Sequence, residues 1–498
     1  MQRALILSVF LGAMAVAVAC DESERDPAAE QSGGGATDGG ADDGAAPGDD
    51  VASPDVARTE RIADRSLIEW MSPDPAEPWW IEERIAPQPS QPGDYELGPR
   101  SIVRAAPDRR VVWQAPDSER MTDACRHPSG EWSAAGVDAD RRVFLARGNA
   151  DGLLDRVLLE DPELVNDSRA WASNPRTVPR VWSWSEQSVS IVADGEGVVL
   201  ALMTEDDAVL AYRFARRGGA FERGPRALVS PAASRTVFLP IGGSYDDFDA
   251  VTAPFLVHLG VDGNGRAFVA QFADNNRIRS HNAKMGTSLE LLRDKLRPRE
   301  GTQDVLVSGV DRDGSIAFAT VVGMPDVEDE VFGLAVGEGR LAVLGRHRRE
   351  LGRDNTEIHV MVAELSAAGI PLATTSFDAL DSGLAQSGAY VGSQLWVGGT
   401  EGWVQNPSGR SVSDQGQPFL VRLSDDPAAR GRRVVERFDS LLPPTSGHAE
   451  LRALRLHTTS AGATTLFVGG HENGPQTHTG DGDPSLIRSD AWWRLQPL

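Results

Sequence analysis

From about residue 120 to the end of the chain, apolar residues come in short runs punctuated by glycine. The runs are "RVFLARG" at 142–148, "GVVLALM" at 197–203, "GRAFVAQF" at 265–272, "GRLAVLG" at 339–345, "GSQLWVGG" at 392–399 and "TTLFVGG" at 464–470. Each is rich in Val, Leu, Phe or Ala, and each follows another apolar run and a tight turn. Thus "FLVHLGVDGNGRAFVAQF" (255–272) reads strand, turn, strand, and so does "VFGLAVGEGRLAVLG" (331–345). Gly and Asn in these turns supply the positive φ angles that hairpins need.

A second hairpin follows in several units. "DVLVSGVDRDGSIAFATVVG" (304–323) turns at Asp313-Gly314, "IHVMVAELSAAGIPLATTSF" (358–377) near Ala368-Gly369, and "AVLAYRFARRGGAFERGPRALV" (208–229) at Gly218-Gly219. "PFLVRLSDDPAARGRRVVERF" (418–438) has a longer loop. One unit is therefore four antiparallel strands. Repetition of such units predicts an all-β chain, a β-propeller of four-stranded antiparallel blades. A β-sandwich is the rival, but it does not account for repeated two-hairpin units.

The units fall at about 120–185, 187–230, 250–323, 329–379, 383–440 and 448–495. That count gives six blades, with seven as the alternative if residues 51–119 form another. The last unit lacks a fourth strand. "RSIVRAA" (100–106) and "RRVVWQAP" (109–116) are strands without a unit. One of them is expected to complete the last blade and close the ring, which removes exposed sheet edges. "GTSLELLRDKLRPRE" (286–300) breaks the pattern. Leu289, Leu292 and Leu296 share a helical face, Thr287 and Glu290 fit a capping box and Pro298 ends it, so a short inserted helix is expected.

The runs "VDGNGRAFVAQF", "GSQLWVGGTEG" and "PFLVRLSDD" resemble bacterial β-propeller repeat lipoproteins, abundant in myxobacteria and related predatory or soil bacteria. The resemblance covers roughly residues 100–498. It implies a fold and a compartment, and it brings no catalytic motif.

The beginning of the chain agrees with that compartment. Arg3 precedes an uncharged run from Ala4 to Ala19 that ends in small residues before Cys20. Positive start, apolar core and small-residue end make a secretory signal, and the run is short for a spanning helix. Ala17-Val18-Ala19-Cys20 resembles the bacterial lipobox, with Ala17 where Leu is usual. The resemblance implies diacylglycerol on the Cys20 thiol and cleavage before it. Two or more acyl chains anchor a protein without spanning the bilayer. Asp21 resembles an inner-membrane retention signal of enteric bacteria, but the leaflet stays open.

Residues 21–50 carry ten Asp or Glu and one Arg among Gly, Ala, Ser and Pro. A segment with so little to bury is expected to be a disordered tether. The chain thus divides into a lipoprotein signal peptide (1–19), an acidic tether (20–50), an N-terminal extension (51–99) and the propeller (100–498).

Formal net charge is −24. The tether accounts for −9 of it, so the remainder is acidic too, and nucleic acid is excluded as a partner. Only Lys284 and Lys295 are lysines, and the other basic residues are arginine. There are two cysteines. With Cys20 lipidated, Cys125 has no intramolecular partner and is expected to pack. Neighbouring His127 is weak support for a reactive thiol.

Candidate chemistry is sparse. "HENGPQTHTGDGD" (471–483) brings His471, Glu472, His478, Asp481 and Asp483 into one loop, but at no dedicated metal spacing. "DGNG" (262–265) and "DRDG" (311–314) echo calcium loops yet lack the full ligand set, and hairpin turns explain them. The Trp79-Trp80 and Trp492-Trp493 pairs are read as core or closure packing ahead of sugar stacking. No nucleophile elbow, zinc or phosphate-loop motif occurs. No catalytic residue, metal or cofactor is therefore assigned. The leading reading is a lipid-anchored envelope protein that binds a protein or polysaccharide through its propeller. The alternative is a hydrolase or lyase in the propeller funnel, with or without a divalent ion.

Overall fold

The computed structural model describes residues 58–63, 66–72, 79–87, 95–104, 110–171, 175–181, 188–217, 219–233, 257–290, 304–323, 327–352, 355–381, 383–402, 416–426, 433–442, 449–458, 464–472 and 490–497. The signal segment, Cys20 and the tether lie outside them. The described chain is all-β apart from one α-helix and two single 3-10 turns. No helix among the described residues is long and apolar enough to cross a membrane.

The strands form seven four-stranded sheets. Sheet I contains β2 (Ser66–Ser72), β3 (Trp79–Pro87), β4 (Tyr95–Arg104) and β5 (Arg110–Gln114). Sheet II contains β6 (Glu119–Arg126), β7 (Trp132–Asp138), β8 (Val143–Asn149) and β9 (Gly152–Leu158). Sheet III has β10 (Val189–Asp194), β11 (Gly197–Met203), β12 (Val209–Arg217) and β13 (Ala220–Ser230). Sheet IV has β14 (Val257–Val261), β15 (Ala267–Ala273), β16 (Asp304–Val310) and β17 (Ile316–Val322). Sheet V has β18 (Glu328–Gly337), β19 (Arg340–Gly352), β20 (Asn355–Ser366) and β21 (Pro371–Asp381). Sheet VI has β22 (Leu384–Val391), β23 (Gln394–Glu401), β24 (Gln417–Asp425) and β25 (Arg433–Arg437). Sheet VII joins β26 (Ala449–Thr458), β27 (Thr464–Glu472) and β28 (Asp490–Pro497) to β1 (Arg58–Ala63).

All neighbours within a sheet are antiparallel and, β1 aside, consecutive in sequence. The first strand of each sheet contacts the first strand of the next, from β2 through β6, β10, β14, β18 and β22 to β26, and β26 contacts β2. The architecture is propeller-like, with the core in the seams between sheets. One cluster, for example, joins Val143, Leu145 and Cys125 of sheet II to Leu200, Leu210 and Tyr212 of sheet III. Another joins Leu344 and Val362 of sheet V to Val397 and Phe419 of sheet VI. A fully buried Val, Leu or Phe contributes roughly 1.5–3 kcal/mol, so each seam is a substantial source of stability.

Two details differ from the sequence reading. The strands at 100–104 and 110–114 are not spare. They pair with β3 and each other inside sheet I, and the strand beside β28 is β1. The six units counted in the sequence thus stand beside a further sheet built from residues 66–114. A helix also lies where none was expected. α1 spans Asn275–Met285, between β15 and β16. Asp274 caps it by accepting from Arg277 N at 2.7 Å, and Gly286 ends it in the left-handed region at φ 67°. Residues 286–290 are not helical, because Thr287 is used elsewhere: its hydroxyl meets His281 Nδ1 and Asn282 Oδ1, both at 2.9 Å. Residues 291–300 lie outside the described set.

Three glycines that close apolar runs, Gly345, Gly399 and Gly470, share a cause with Gly136 of β7. In four sheets the first strand carries a bulge, and the residue before it pairs with a glycine: Met121 with Gly136, Val331 with Gly345, Ala385 with Gly399 and Leu451 with Gly470. A Cβ at these glycines would lie 1.8–2.3 Å from a backbone oxygen of Arg120, Glu330, Leu384 or Glu450. The bulge turns a carbonyl into the space a side chain would fill.

Candidate functional site

Antiparallel order gives each sheet two ends. At one, here the turn end, the first two strands and the last two strands are joined by short links, the longest lying between Asp425 and Arg433. At the other, the connection end, lie the spans 158–189, 230–257, 273–304, 401–417, 437–449 and 472–490. Loops there are free to vary because the sheets below supply the stability.

Buried charge collects at the connection end. Glu83, 1% exposed, pairs with Arg120 across the seam between sheets I and II at 3.1 Å, and Arg100 donates to Thr122 O at 2.7 Å. Asp161, fully buried, is met by Arg223 at 2.7 Å, Arg226 at 3.0 Å and the Tyr212 hydroxyl at 3.2 Å. Burial, and then the charge of Asp161, hold the Tyr212 phenol well above its usual range.

The densest grouping is at the seam between sheets IV and V. The register of β18 on β19 sets Glu328 opposite Arg348, Asp329 opposite His347 and Glu330 opposite Arg346. Alternation sends adjacent pairs to opposite faces. Glu330 accepts from Arg346 Nε at 2.5 Å on one face, and the guanidinium lies 5.4 Å from the Phe332 ring. On the other, His347 Nδ1 hydrogen-bonds to Asp329 Oδ1, and both residues are sealed, 2% and 0% exposed. His347 Nε2 is buried with no partner among the described residues.

A second carboxylate joins this pair. A Cβ on Gly323 would lie 2.4 Å from Asp329 Oδ2 and 2.6 Å from Asp304 Oδ1, so the two carboxylates converge over a bare glycine. The carboxylate of Asp329 orients the imidazole through Nδ1, and the grouping is closed off from solvent. Among the described residues, no group of three or more His, Cys, Asp or Glu is able to hold a metal ion.

The residues singled out in the sequence lie elsewhere. Cys125 is buried in the seam between sheets II and III, and burial, reinforced by Asp123, pushes its thiol well above the usual range. His127 does not activate it: Nε2 meets Ser133 Oγ at 2.7 Å and Nδ1 faces Gly195 O at 3.1 Å. Trp79, Trp80 and Trp492 are buried. Trp493 is described by register alone, between Glu60 and Gly469.

"DGNG" and "DRDG" are turns at the turn end. Asp262 Oδ1 accepts from Asn264 N and Arg266 N at 2.9 and 2.8 Å, and Asp313 Oδ1 accepts from Ser315 N at 2.9 Å. His471 and Glu472 end β27, opposite Glu450 and Ala449, while His478, Asp481 and Asp483 lie outside the described residues.

No family model matches the chain, and no curated protein does. Solved structures similar to it include the GH93 α-L-arabinofuranosidase of Fusarium graminearum with arabinobiose. It has TM-score 0.39 and 9% identity over 76% of this chain and 95% of that one. The BP39L lectin of Burkholderia pseudomallei has TM-score 0.41 and 9% identity over 82% and 96%. The SapL1 lectin in complex with α-methyl fucoside has TM-score 0.35 and 10% identity over 76% and 96%. These are loose likenesses, and no property of those proteins is carried to this chain.

Proposed function

We propose that the chain is a lipid-anchored envelope protein of the bacterial β-propeller repeat lipoprotein kind. Its seven sheets are blades of a ring closed by β1, and its connection end binds a protein or polysaccharide partner without catalysis. Supporting this reading is the segregation of every long connection to one end of the sheets. A rigid frame with variable loops at one end suits recognition. The test has two arms. Fatty-acid label should enter the full-length chain and be lost in Cys20→Ala. Binding of the lipidated protein to purified envelope polysaccharide or to solubilised envelope proteins should fall when spans 402–416 and 473–489 are replaced by short turns. Unchanged binding by that variant would sink the recognition surface.

A further inference from the structure

The direction of β1 bears on how the ring is held. Arg58 pairs with Leu495 and Ala63 with Ala491. Leu495 lies beside Phe467, near the start of β27 at Thr464, whereas Ala491 lies beside His471, next to its end at Glu472. The link from β26 to β27, between Thr458 and Thr464, is at the turn end, and the 472–490 span is at the connection end. β1 therefore runs from the turn end to the connection end, where it feeds β2. Arg58 therefore stands at the turn end, at the start of the outermost strand of sheet VII.

We infer that the membrane anchor attaches at the turn end, so that the anchored ring faces the bilayer with its short turns and presents its long connections away from it. The inference rests on the lipid anchor proposed for Cys20. A flexible chain as long as that between Cys20 and Arg58 spans about 30–35 Å. Strands of seven to ten residues make the ring about 25–30 Å tall. Bringing the connection end to the bilayer would require the tether to double back over nearly the whole height of the ring. The acids of residues 21–50 repel one another and an anionic surface, which extends the tether and disfavours that return.

At the turn end several arginines bridge neighbouring sheets. Arg216 of sheet III donates to Glu131 near sheet II at 2.7 Å, and Arg213 donates to Gly265 O of sheet IV at 2.6 Å. Arg266 of sheet IV donates to Ala367 O of sheet V at 2.9 Å, and Arg433 of sheet VI donates to Glu364 of sheet V at 2.6 Å. These pairs brace the turn end.

The test is energy transfer from single fluorophores to a dye-labelled lipid. The full-length lipidated protein is reconstituted in vesicles of phosphatidylethanolamine and phosphatidylglycerol. Glu338, exposed in a turn-end hairpin, and Ala139, exposed in a connection-end turn, are the labelling positions through Glu338→Cys and Ala139→Cys. Cys125 is buried and Cys20 is taken by lipid in this reading, so label goes to the introduced thiols. A difference in height of about 25 Å should make transfer from the Glu338→Cys probe roughly twofold higher. Protein that floats with vesicles yet transfers equally from both probes, or better from Ala139→Cys, overturns the inference while leaving the anchor intact. Protein that does not float overturns the anchor itself.

Discussion

Asp329 on β18 stands directly opposite His347 on β19, and the two side chains share a hydrogen bond in a seam closed to water. Removing one member of a buried polar pair strands the other, whereas removing both relieves much of the penalty. Asp329→Asn is expected to destabilise by about 3 kcal/mol, and His347→Gln by a similar amount. The double variant should be less unstable than the sum by about 1–3 kcal/mol. Denaturant midpoints of the four proteins measure this, and strict additivity would show that the pair is not coupled.

The glycines opposite the bulges give a second prediction. Gly345→Ala places a Cβ 1.8 Å from Glu330 O, a backbone atom that moves only if the bulge does. Gly339→Ala meets nothing within 4 Å but must adopt φ 71°. The first should cost at least about 3 kcal/mol, from overpacking, and the second about 1 kcal/mol, from the left-handed backbone. Equal losses in thermal unfolding would mean that the bulge yields to the methyl group.

Much of this frame was legible in the sequence, and the reasons show where legibility stops. Turn glycines such as Gly265 and Gly314 have positive φ, 79° and 84°, so the hairpins could be read from local rules. The repeating glycine at the end of the second strand marks a bulge on the first, a relation that local rules do not carry. β1 was missed because pairing with β28 joins residues at opposite ends of the chain, and strand propensity alone does not name a partner. Helix α1 was not read because its cap residues Asp274 and Gly286 flank a polar segment, whereas the period of Leu289, Leu292 and Leu296 drew the reading further along the chain. The seam grouping had a readable trace. "EDE" at 328–330 and "RHR" at 346–348 are equidistant from the Gly337–Gly339 turn, so a hairpin register sets acid against base. Asp304 and Gly323 end one readable hairpin of sheet IV, and only the fold brings them to Asp329 of sheet V.

Acid should weaken the seam between sheets IV and V. His258 lies on β14, and burial of its ring lowers its pKa to about 4, opposed in part by a hydrogen bond with the Val331 backbone. In the unfolded chain a histidine titrates near about 6.5. Between those values the unfolded state binds more protons, so stability is full above about pH 6.5 and falls as pH drops toward 4. The loss attributable to this residue is at most about 3 kcal/mol. His281, whose pKa is also lowered by burial, acts with the same sign. Urea midpoints at pH 7 and pH 4.5 should therefore differ less in His258→Gln than in the parent. Equal differences would remove His258 as a source of acid lability.

Truncation separates the tether from the strand that follows it. Every strand of the described sheets begins at Arg58 or later, so removal of residues 1–50 should leave the unfolding temperature within about 2 °C. Removal of residues 1–64 also takes away β1, the partner of β28 over Arg58–Ala63. Sheet VII then has three strands, and the freed β28 edge is open to pairing with other chains. The shorter protein should melt several degrees lower, by about 5 °C or more for a loss of a few kcal/mol, and its light scattering should rise with concentration. Restoring a peptide of residues 56–65 in excess should reverse both effects, because a strand added to that edge replaces the missing ladder. A truncated protein that melts like the parent would show that sheet VII does not depend on β1.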